Sequence, residues 1–378
     1  MTLMILLNRI QFAHGAIAET AGELALAGIT RPLVITDTGV VAAGLWDRLR
    51  ATLPPGLPLA VFTDVPPNPT EAAVRAAVAA FHAHGADGVL ALGGGSPMDL
   101  AKAVALLATH GGGSLAAFSV VEGGLARITA RAAPIIAVPT TSGTGSEVSR
   151  GALIVMEDGR KLSVGSPHLI PRAAICDPDL TLGLPPRLTA GTGMDALAHA
   201  VETLCSPREN PIADAIARDG LARAWAHLPR AVADGRDAVA RHQMMLASVE
   251  AALAFQKGLG AVHALSHPLG GLAVSPHHGT LNALLLPHVL RFNAPAIAPV
   301  LPVLGAAMGL ADHRAEALAD AISAMSERIG LPARLSALAV TPADLGPLAA
   351  AAMRDHHHLT NPRRASEAEY LGLLQAAF

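Results

Sequence analysis

Short β-branched runs are confined to the first half of this chain, where they alternate with alanine-rich helical patterns. Such runs predict strands over residues 33–36, 59–62, 88–92 and 135–138. Helical patterns over 70–84 and 97–110 separate them, so the order is βαβα and a parallel, Rossmann-like sheet is expected. After residue 182 the β-branched runs nearly vanish, and Ala, Leu and His dominate long helical patterns. The chain therefore predicts an α/β domain over 1–182 and an all-helical domain over 183–378.

Charge and hydropathy exclude two classes of partner. Lys and Arg number 27 against 30 Asp and Glu, and no basic run of five appears, so nucleic acid is not an expected partner. The uncharged stretch 292–311 contains three prolines, which argues against a membrane span. The two cysteines cannot form a disulfide framework, so we expect a cytoplasmic protein. The apolar residues 1–7 meet Asn8 and Arg9 too soon for a signal peptide and predict another strand.

A glycine-rich segment, residues 93–96, follows the third apolar run directly and precedes a helical pattern that includes Asp99. Glycines let a backbone approach a phosphate, Pro97 suits a first helical turn, and the helix dipole attracts anions. The segment thus indicates a phosphate site. A strand-to-helix connection of this kind also needs no ligand, and the G-x-G-x-x-G fingerprint is absent.

Residues 138–147 form a second candidate loop at the end of the fourth apolar run, with five hydroxyl side chains and two glycines. Open α/β sheets bind ligands at the carboxyl ends of their strands, so the two loops support each other as a binding site. Asp37 also follows a strand, where a carboxylate favours a ribose diol over a 2′-phosphate and hence NAD over NADP. The alternative for Asp37 is a turn cap before Gly39.

Histidines recur at helical spacing in the second half. Asp195 and His199 are four residues apart, His263 and His267 repeat that spacing, and residues 277–278 add a third cluster. One carboxylate with three imidazoles suits divalent iron or zinc with a position left open for substrate. With 17 histidines in the chain, chance pairs that serve as caps or surface contacts are the alternative.

Five ordered motifs resemble the iron-containing (group III) alcohol dehydrogenase family over essentially the whole chain. They are residues 93–99, 139–147, 193–202, 258–270 and 278–283. The resemblance implies a dehydroquinate synthase-like fold, with a dinucleotide-binding α/β domain and a helical metal-binding domain. It implies reversible, NAD-linked oxidation of an alcohol to an aldehyde or ketone, with Fe²⁺ as the expected metal and Zn²⁺ as the alternative.

The resemblance also implies individual roles. It makes Asp195, His199, His263 and His278 metal ligands, with His277 as an alternative to His278. His267 would serve proton transfer. The residues that would bind NAD are Asp37, Asn68, Gly94, Gly95, Ser96, Asp99, Thr140, Thr141, Thr144 and Lys161.

The expected partner is a small alcohol or aldehyde, and a homodimer is expected. The alternatives are a maleylacetate reductase or another reductase of the superfamily, a dehydroquinate synthase-like lyase, a polyol dehydrogenase, and a non-catalytic metal-binding protein. Residues 356–358, three consecutive histidines, either line the site or form a surface turn.

Overall fold

The structure is a computed structural model that describes residues 8–111, 113–274 and 276–378. The strand predicted over residues 1–7 lies outside these ranges. The described chain divides into two compact units. An α/β unit comprises residues 8–141 and Ser146–Gly183, and a helical unit comprises Ser142–Gly145 and Leu184–Phe378.

A parallel six-stranded sheet forms the centre of the α/β unit. The strands of the unit are β1 (Ile10–Phe12), β2 (Pro32–Ile35), β3 (Ala60–Phe62), β4 (Gly88–Gly93), β5 (Ile135–Pro139), β6 (Gly151–Val155), β7 (Lys161–Gly165) and β8 (Ala173–Cys176). The sheet order is β1-β8-β5-β4-β2-β3, while β6 and β7 pair as a separate antiparallel hairpin. Strands β2, β4, β5 and β8 are buried along their whole length, as expected where both faces of a parallel sheet are covered. The predicted Rossmann-like sheet is confirmed.

Helices connect these strands. They are α1 (Thr20–Leu26), α2 (Thr38–Ala42), α3 (Leu45–Arg50), α4 (Glu71–His84) and α5 (Gly95–His110). The Thr70 hydroxyl accepts a hydrogen bond from the Ala73 amide at 3.2 Å and caps α4, which ends at Gly85 with a φ of 68°. Helix α5 begins two residues after β4, so its amino terminus lies at the carboxyl edge of the sheet.

The described part of the helical unit contains no strand, which confirms the all-helical prediction. Its helices are α6 (Pro186–Cys205), α7 (Pro211–Ala233), α8 (Ala238–Ala254), α9 (Ala261–Gly270), α10 (His278–Asn293), α11 (Leu301–Ala307), α12 (Ala315–Arg328), α13 (Pro342–Ala352) and α14 (Glu367–Ala377). One continuous apolar core, rich in alanine and leucine, joins them. Across the described ranges, every helix is too short or too polar to cross a bilayer.

Two glycines allow α6 and α10 to approach closely. A Cβ atom on Gly279 would lie 2.0 Å from the Gly191 carbonyl oxygen, so only glycine fits between these backbones. The same Cβ would lie 3.1 Å from the Asp195 Cβ atom. The close approach therefore brings the first turn of α10, which begins at His278, beside Asp195.

Candidate metal centre and cofactor site

Two polar residues of α6, Asp195 and His199, are deeply buried. Asp195 is only 1% exposed to solvent and His199 only 4%. A carboxylate buried to this extent costs several kcal/mol unless charges or hydrogen bonds compensate. The charges and hydrogen-bonding groups around Asp195 therefore indicate its role.

Three imidazole nitrogens surround one oxygen of Asp195. Its Oδ1 atom lies 3.7 Å from His199 Nε2, 3.9 Å from His263 Nε2 and 3.6 Å from His278 Nε2. Ligands at 2.0–2.1 Å from a tetrahedral ion are about 3.4 Å apart, so these separations are close to those of a shared ion. The structure thus brings together the four residues that were predicted as ligands from the sequence, although they lie on three helices, α6, α9 and α10. Their donor atoms fit a divalent metal.

Burial keeps two of these imidazoles neutral at neutral pH. It lowers the pKa of His199 to about 4 and that of His263 to about 3, outweighing the nearby Asp195 carboxylate, which acts in the opposite direction. A neutral imidazole has the lone pair that a metal requires. The two rings are thus in the correct protonation state for ligation.

Glu202 fixes the orientation of His263. Its Oε2 atom lies 2.5 Å from His263 Nδ1, and its Oε1 atom accepts the Val262 amide at 2.8 Å. Burial raises the pKa of Glu202 to about 7. With Nδ1–H directed at the carboxylate, Nε2 is left as the ligating atom, the usual carboxylate–histidine–metal arrangement.

Asn282 is a second residue of the centre that has no role in the sequence prediction. Its Nδ2 atom donates to Asp195 Oδ1 at 2.7 Å and lies 3.1 Å from His278 Nε2. Helical spacing could have identified both Glu202 and Asn282 as neighbours of the ligands. Glu202 is seven residues after Asp195, and Asn282 is four after His278, so each pair shares one helix face. Asparagine is not a usual ligand of these metals, and Glu202 acts through His263, so a search for ligand residues four apart on a helix passes over both.

His277 and His278 are separated by the start of α10. His277 precedes the helix, and its Nδ1 atom lies 3.2 Å from the Thr280 hydroxyl. His278 occupies the first helical position and faces Asp195. The geometry favours His278 over His277 as the fourth ligand.

A second group of potential ligands, His267, Asp355 and His357, lies next to the first. His267 Nδ1 is 2.8 Å from Asp355 Oδ2, which is hydrogen-bond distance and shorter than the separation of two atoms sharing an ion. Burial acts to raise the pKa of Asp355, but His267, His357 and His356 together hold it below its usual range. We therefore interpret His267 and Asp355 as a hydrogen-bonded pair in which Asp355 orients His267.

In the α/β unit, the strand order reverses between β2 and β4. The chain leaves β2 for β3 on one side and leaves β4 for β5 on the other, which creates a crevice at the carboxyl ends of β2 and β4. Asp37 follows β2, and the glycine turn follows β4. A Cβ atom on Gly93, where φ is 149°, would lie 3.5 Å from Asp37 Oδ2. Asp37 and the glycine turn are therefore neighbours at the switch point.

Several other predicted cofactor residues line the same edge. The Ser96 hydroxyl donates to the Pro67 carbonyl, and Lys161 Nζ donates to Asn68 Oδ1 at 2.7 Å. The Thr140 amide donates to the Gly93 carbonyl at 2.9 Å. A Cβ atom on Gly94 would lie 3.2 Å from the Thr141 side chain, and Gly95 is the first residue of α5.

Asp99 contacts the chain itself through both carboxylate oxygens. Oδ1 accepts from the Ser146 hydroxyl at 2.6 Å, and Oδ2 accepts from the Leu153 amide at 2.8 Å. Lys102, fully buried, donates to Ser146 Oγ at 2.8 Å, and burial lowers its pKa to about 8. Asp99 thus ties α5 to the following loop and hairpin, and its direct contact with a cofactor stays a prediction. Thr144 belongs to the helical unit.

Asp37 provides a test of cofactor preference. Its Oδ1 atom accepts a hydrogen bond from the Val40 amide at 2.9 Å and caps α2, so Asp37 is a cap in this structure. Its contact with a ribose stays a prediction. Glycine is a tolerable cap and lacks the carboxylate that would repel a 2′-phosphate. We expect Asp37→Gly to raise the NADP-to-NAD ratio of kcat/KM by about tenfold or more.

Asp237→Gly is the matched control, because Asp237 caps α8 through the Ala240 amide at 2.9 Å in the other unit. The control should leave the cofactor ratio unchanged. A ratio that stays the same in Asp37→Gly as well would remove Asp37 from the cofactor site.

Comparison with known proteins places these features in a family. Residues 8–178 match the model described as iron-containing alcohol dehydrogenase, and residues 189–378 match that of the C-terminal part of the Fe-containing alcohol dehydrogenase family. A 4-hydroxybutyrate dehydrogenase from Cupriavidus necator is 51% identical over 381 residues, with 99% of each chain covered. A solved 1,3-propanediol oxidoreductase gives a TM-score of 0.91 at 36% identity, with both chains fully covered. A sulfoacetaldehyde reductase from Bifidobacterium kashiwanohense, solved in complex with NAD⁺, gives 0.88 at 31% identity, covering 100% of this chain and 99% of that one.

Proposed function

Because the chain belongs to the iron-containing alcohol dehydrogenase family, we propose that it oxidises the ω-hydroxy acid 4-hydroxybutyrate with NAD as hydride acceptor and Fe²⁺ as its metal. Membership confirms the predicted family, fold and enzyme class. Dehydrogenase names among the relatives also count against the non-catalytic alternative.

The observation that carries the proposal is the set of donors around Asp195 Oδ1, with three imidazole nitrogens 3.6–3.9 Å away. Asp195, His199, His263 and His278 would hold the ion. A divalent metal held there supplies a Lewis acid that lowers the pKa of an alcohol hydroxyl. The donor set suits both iron and zinc, and the family's iron-containing members favour Fe²⁺.

His267 is the residue we assign to proton transfer. Its Nδ1 atom pairs with Asp355, which fixes the tautomer and leaves Nε2 as the atom that accepts a proton. The ring stacks 5.5 Å from that of His278, so His267 lies directly beside the proposed ligands. The alcohol proton would pass to His267 Nε2 as hydride leaves the carbinol carbon.

The α/β unit would bind the dinucleotide at its switch point. The free amides at the start of α5, following Gly94, suit the pyrophosphate, and Asp37 suits the ribose diol. Nicotinamide supplies the hydride acceptor when bound. The proposal includes a cytoplasmic homodimer, in which Cys176 and Cys205 remain the buried free thiols seen here.

The test is a substrate panel on purified holoenzyme, followed by NADH absorbance. We expect kcat/KM for 4-hydroxybutyrate to exceed that for 1-butanol by about tenfold or more, since a site built for a polar group rejects its analogue. Elemental analysis should find about one iron per chain, because the described residues contain one four-donor set. Preference for 1-butanol or 1,3-propanediol would overturn the substrate, zinc in place of iron would overturn the metal, and no turnover of any alcohol would overturn the activity.

A further inference from the structure

The first turn of helix α9, which carries a proposed metal ligand, begins at a residue that cannot cap it. The N-cap position is Gly260, which has no side chain to accept a hydrogen bond from the free amides of that turn. Two side chains from elsewhere in the helical unit accept these hydrogen bonds. Asn361 Oδ1 accepts one from the Ala261 amide at 3.0 Å, and Glu202 Oε1 accepts one from the Val262 amide at 2.8 Å. The start of α9 is therefore held from outside the helix.

Gly260 allows both acceptors to reach the same turn. A Cβ atom there would lie 2.7 Å from Asn361 Oδ1 and 3.0 Å from Glu202 Oε1, so any larger residue would displace them. His263 follows in this same turn, and its ring is held by the other oxygen of Glu202. Glu202 thus holds the ring and one amide of the turn, while Asn361 holds the neighbouring amide.

Asn361 uses its whole hydrogen-bonding capacity in this position. Oδ1 also accepts from Asn293 Nδ2 at 3.0 Å, and Nδ2 donates to Asn293 Oδ1 at 2.8 Å and to the Arg363 carbonyl at 2.6 Å. Asn361 and Asn293 are 3% and 4% exposed, so water competes little for these hydrogen bonds. Asn293 is the last residue of α10, which begins at the proposed ligand His278. Asn361 therefore connects the start of α9 with the end of α10.

The segment that carries this asparagine is itself fixed against α9. The 3-10 helix His356–Thr360 directly precedes it. At one end of the segment, Asp355 Oδ2 lies 2.8 Å from His267 Nδ1. At the other end, the Thr360 hydroxyl donates to the Leu259 carbonyl at 2.5 Å. The segment thus contacts both α9 and the chain immediately before it.

Arg363 and His358 hold the same segment against α10 and α14. The Arg363 guanidinium donates to the Phe292 carbonyl at 2.9 Å and lies 4.0 Å from the centre of the Phe292 ring. His358 Nδ1 lies 2.9 Å from the Tyr370 hydroxyl. With the segment fixed on these sides, the amide group of Asn361 is held against the start of α9.

A metal centre depends on such support, because its ligands must lie within about 0.5 Å of their productive positions. We infer that Asn361 is a positioning residue for the metal centre: by holding the start of α9, it places His263 Nε2 beside Asp195. This inference rests on the metal centre of the proposed function and adds to it a residue outside the ligand set.

The test is metal affinity in Asn361→Ala, which leaves the four proposed ligands and Glu202 unchanged. We expect the affinity for Co²⁺, measured by competition with a chelator, to fall about tenfold. Co²⁺ accepts imidazole and carboxylate ligands, and its visible absorption depends on their geometry. The absorption bands of the bound ion should therefore shift in the variant, a change that loss of stability alone would not produce.

Asn210→Ala is the matched control. Asn210 is also 3% exposed, and its Oδ1 atom accepts the Ala213 amide at 3.1 Å and caps α7, a helix without a proposed ligand. Thermal unfolding should show a loss of stability in both variants. Only Asn361→Ala should change the Co²⁺ affinity and spectrum.

A double variant with Glu202→Gln tests whether Asn361 acts through α9. Asn361 and Glu202 hold neighbouring amides of one turn, so their effects on Co²⁺ affinity should be coupled. We expect the combined fall to be smaller than the product of the two single falls, because a turn released by one change has less left to lose. A combined fall equal to the product would show that Asn361 does not act through this turn, and the inference would be wrong.

Asn293→Ala is a milder second variant in case Asn361→Ala does not fold. It removes one partner of Asn361 but leaves the hydrogen bond to the Ala261 amide. Its Co²⁺ affinity should fall about threefold, the effect of one weakened hydrogen bond. An unchanged affinity and spectrum in folded Asn293→Ala would then overturn the inference.

The outcomes separate the two proposals. If the wild type binds Co²⁺ but Asn361→Ala matches Asn210→Ala in affinity and spectrum, Asn361 only supports the fold. The inference is then wrong and the proposed function stands. If the wild type binds no Co²⁺ or iron, the metal centre of the proposed function is overturned, and the inference with it.

Discussion

His263→Ala should lose its metal and its activity together. We expect the metal content to fall from about one ion per chain to less than about a tenth, because three donors remain of a four-donor set. Turnover should fall by about a thousandfold or more, since the Lewis acid is absent. Elemental analysis of the purified variant measures the first effect, and NADH absorbance with 4-hydroxybutyrate measures the second.

The variant also leaves Glu202 buried without its histidine, so part of the effect could arise from loss of stability. Circular dichroism and thermal unfolding check this, and His263→Gln, which is less disruptive in volume, serves as a second variant. His227→Ala, a half-buried histidine of α7 in the same unit, should retain its metal. A folded His263→Ala protein without metal that kept full activity would refute a catalytic role for the ion.

The sequence anticipated those parts of the molecule whose signals are local. Strands β2 to β5 are apolar and flanked by turn residues, and each lies within two residues of its predicted position. The ligand pairs on α6 and α9 follow from helical spacing, which places residues four apart on one face. Spacing within one helix does not predict that the separate helices pack against each other. For α6 and α10, that packing depends on the absence of a side chain at Gly279, where a Cβ atom would lie 2.0 Å from the Gly191 carbonyl oxygen.

The elements and residues that sequence reasoning missed depend on partners distant in the chain. Strand β1 has three residues and pairs only with β8, and β8 has four residues and lies between β1 and β5, so both are defined by strands distant in the chain. Likewise Glu202 acts only through His263, which is 61 residues away. Helical spacing places Glu202 on the same face of α6 as Asp195, but it does not show that the carboxylate meets a histidine of another helix.

Glu202→Gln should weaken metal binding while the four ligands remain in place. Glu202 accepts hydrogen bonds from both His263 Nδ1 and the Val262 amide, and an amide side chain can accept only one of the two. If its NH₂ group faces His263, it favours the tautomer with the proton on Nε2, the atom needed by the metal. We expect metal affinity to fall about 10- to 100-fold, measured by competition with a chelator.

Glu71→Gln is the matched control, because Glu71 is an equally buried carboxylate of the α/β unit, paired with Arg75 at 2.6 Å. It should lose some stability with no change in metal affinity, whereas Glu202→Gln should show both effects. If the two variants bound metal equally well, Glu202 would be a packing residue and the orientation of His263 would have another cause. Comparing the two variants thus separates the loss of stability that follows from changing a buried carboxylate from the loss of metal affinity that follows from releasing His263.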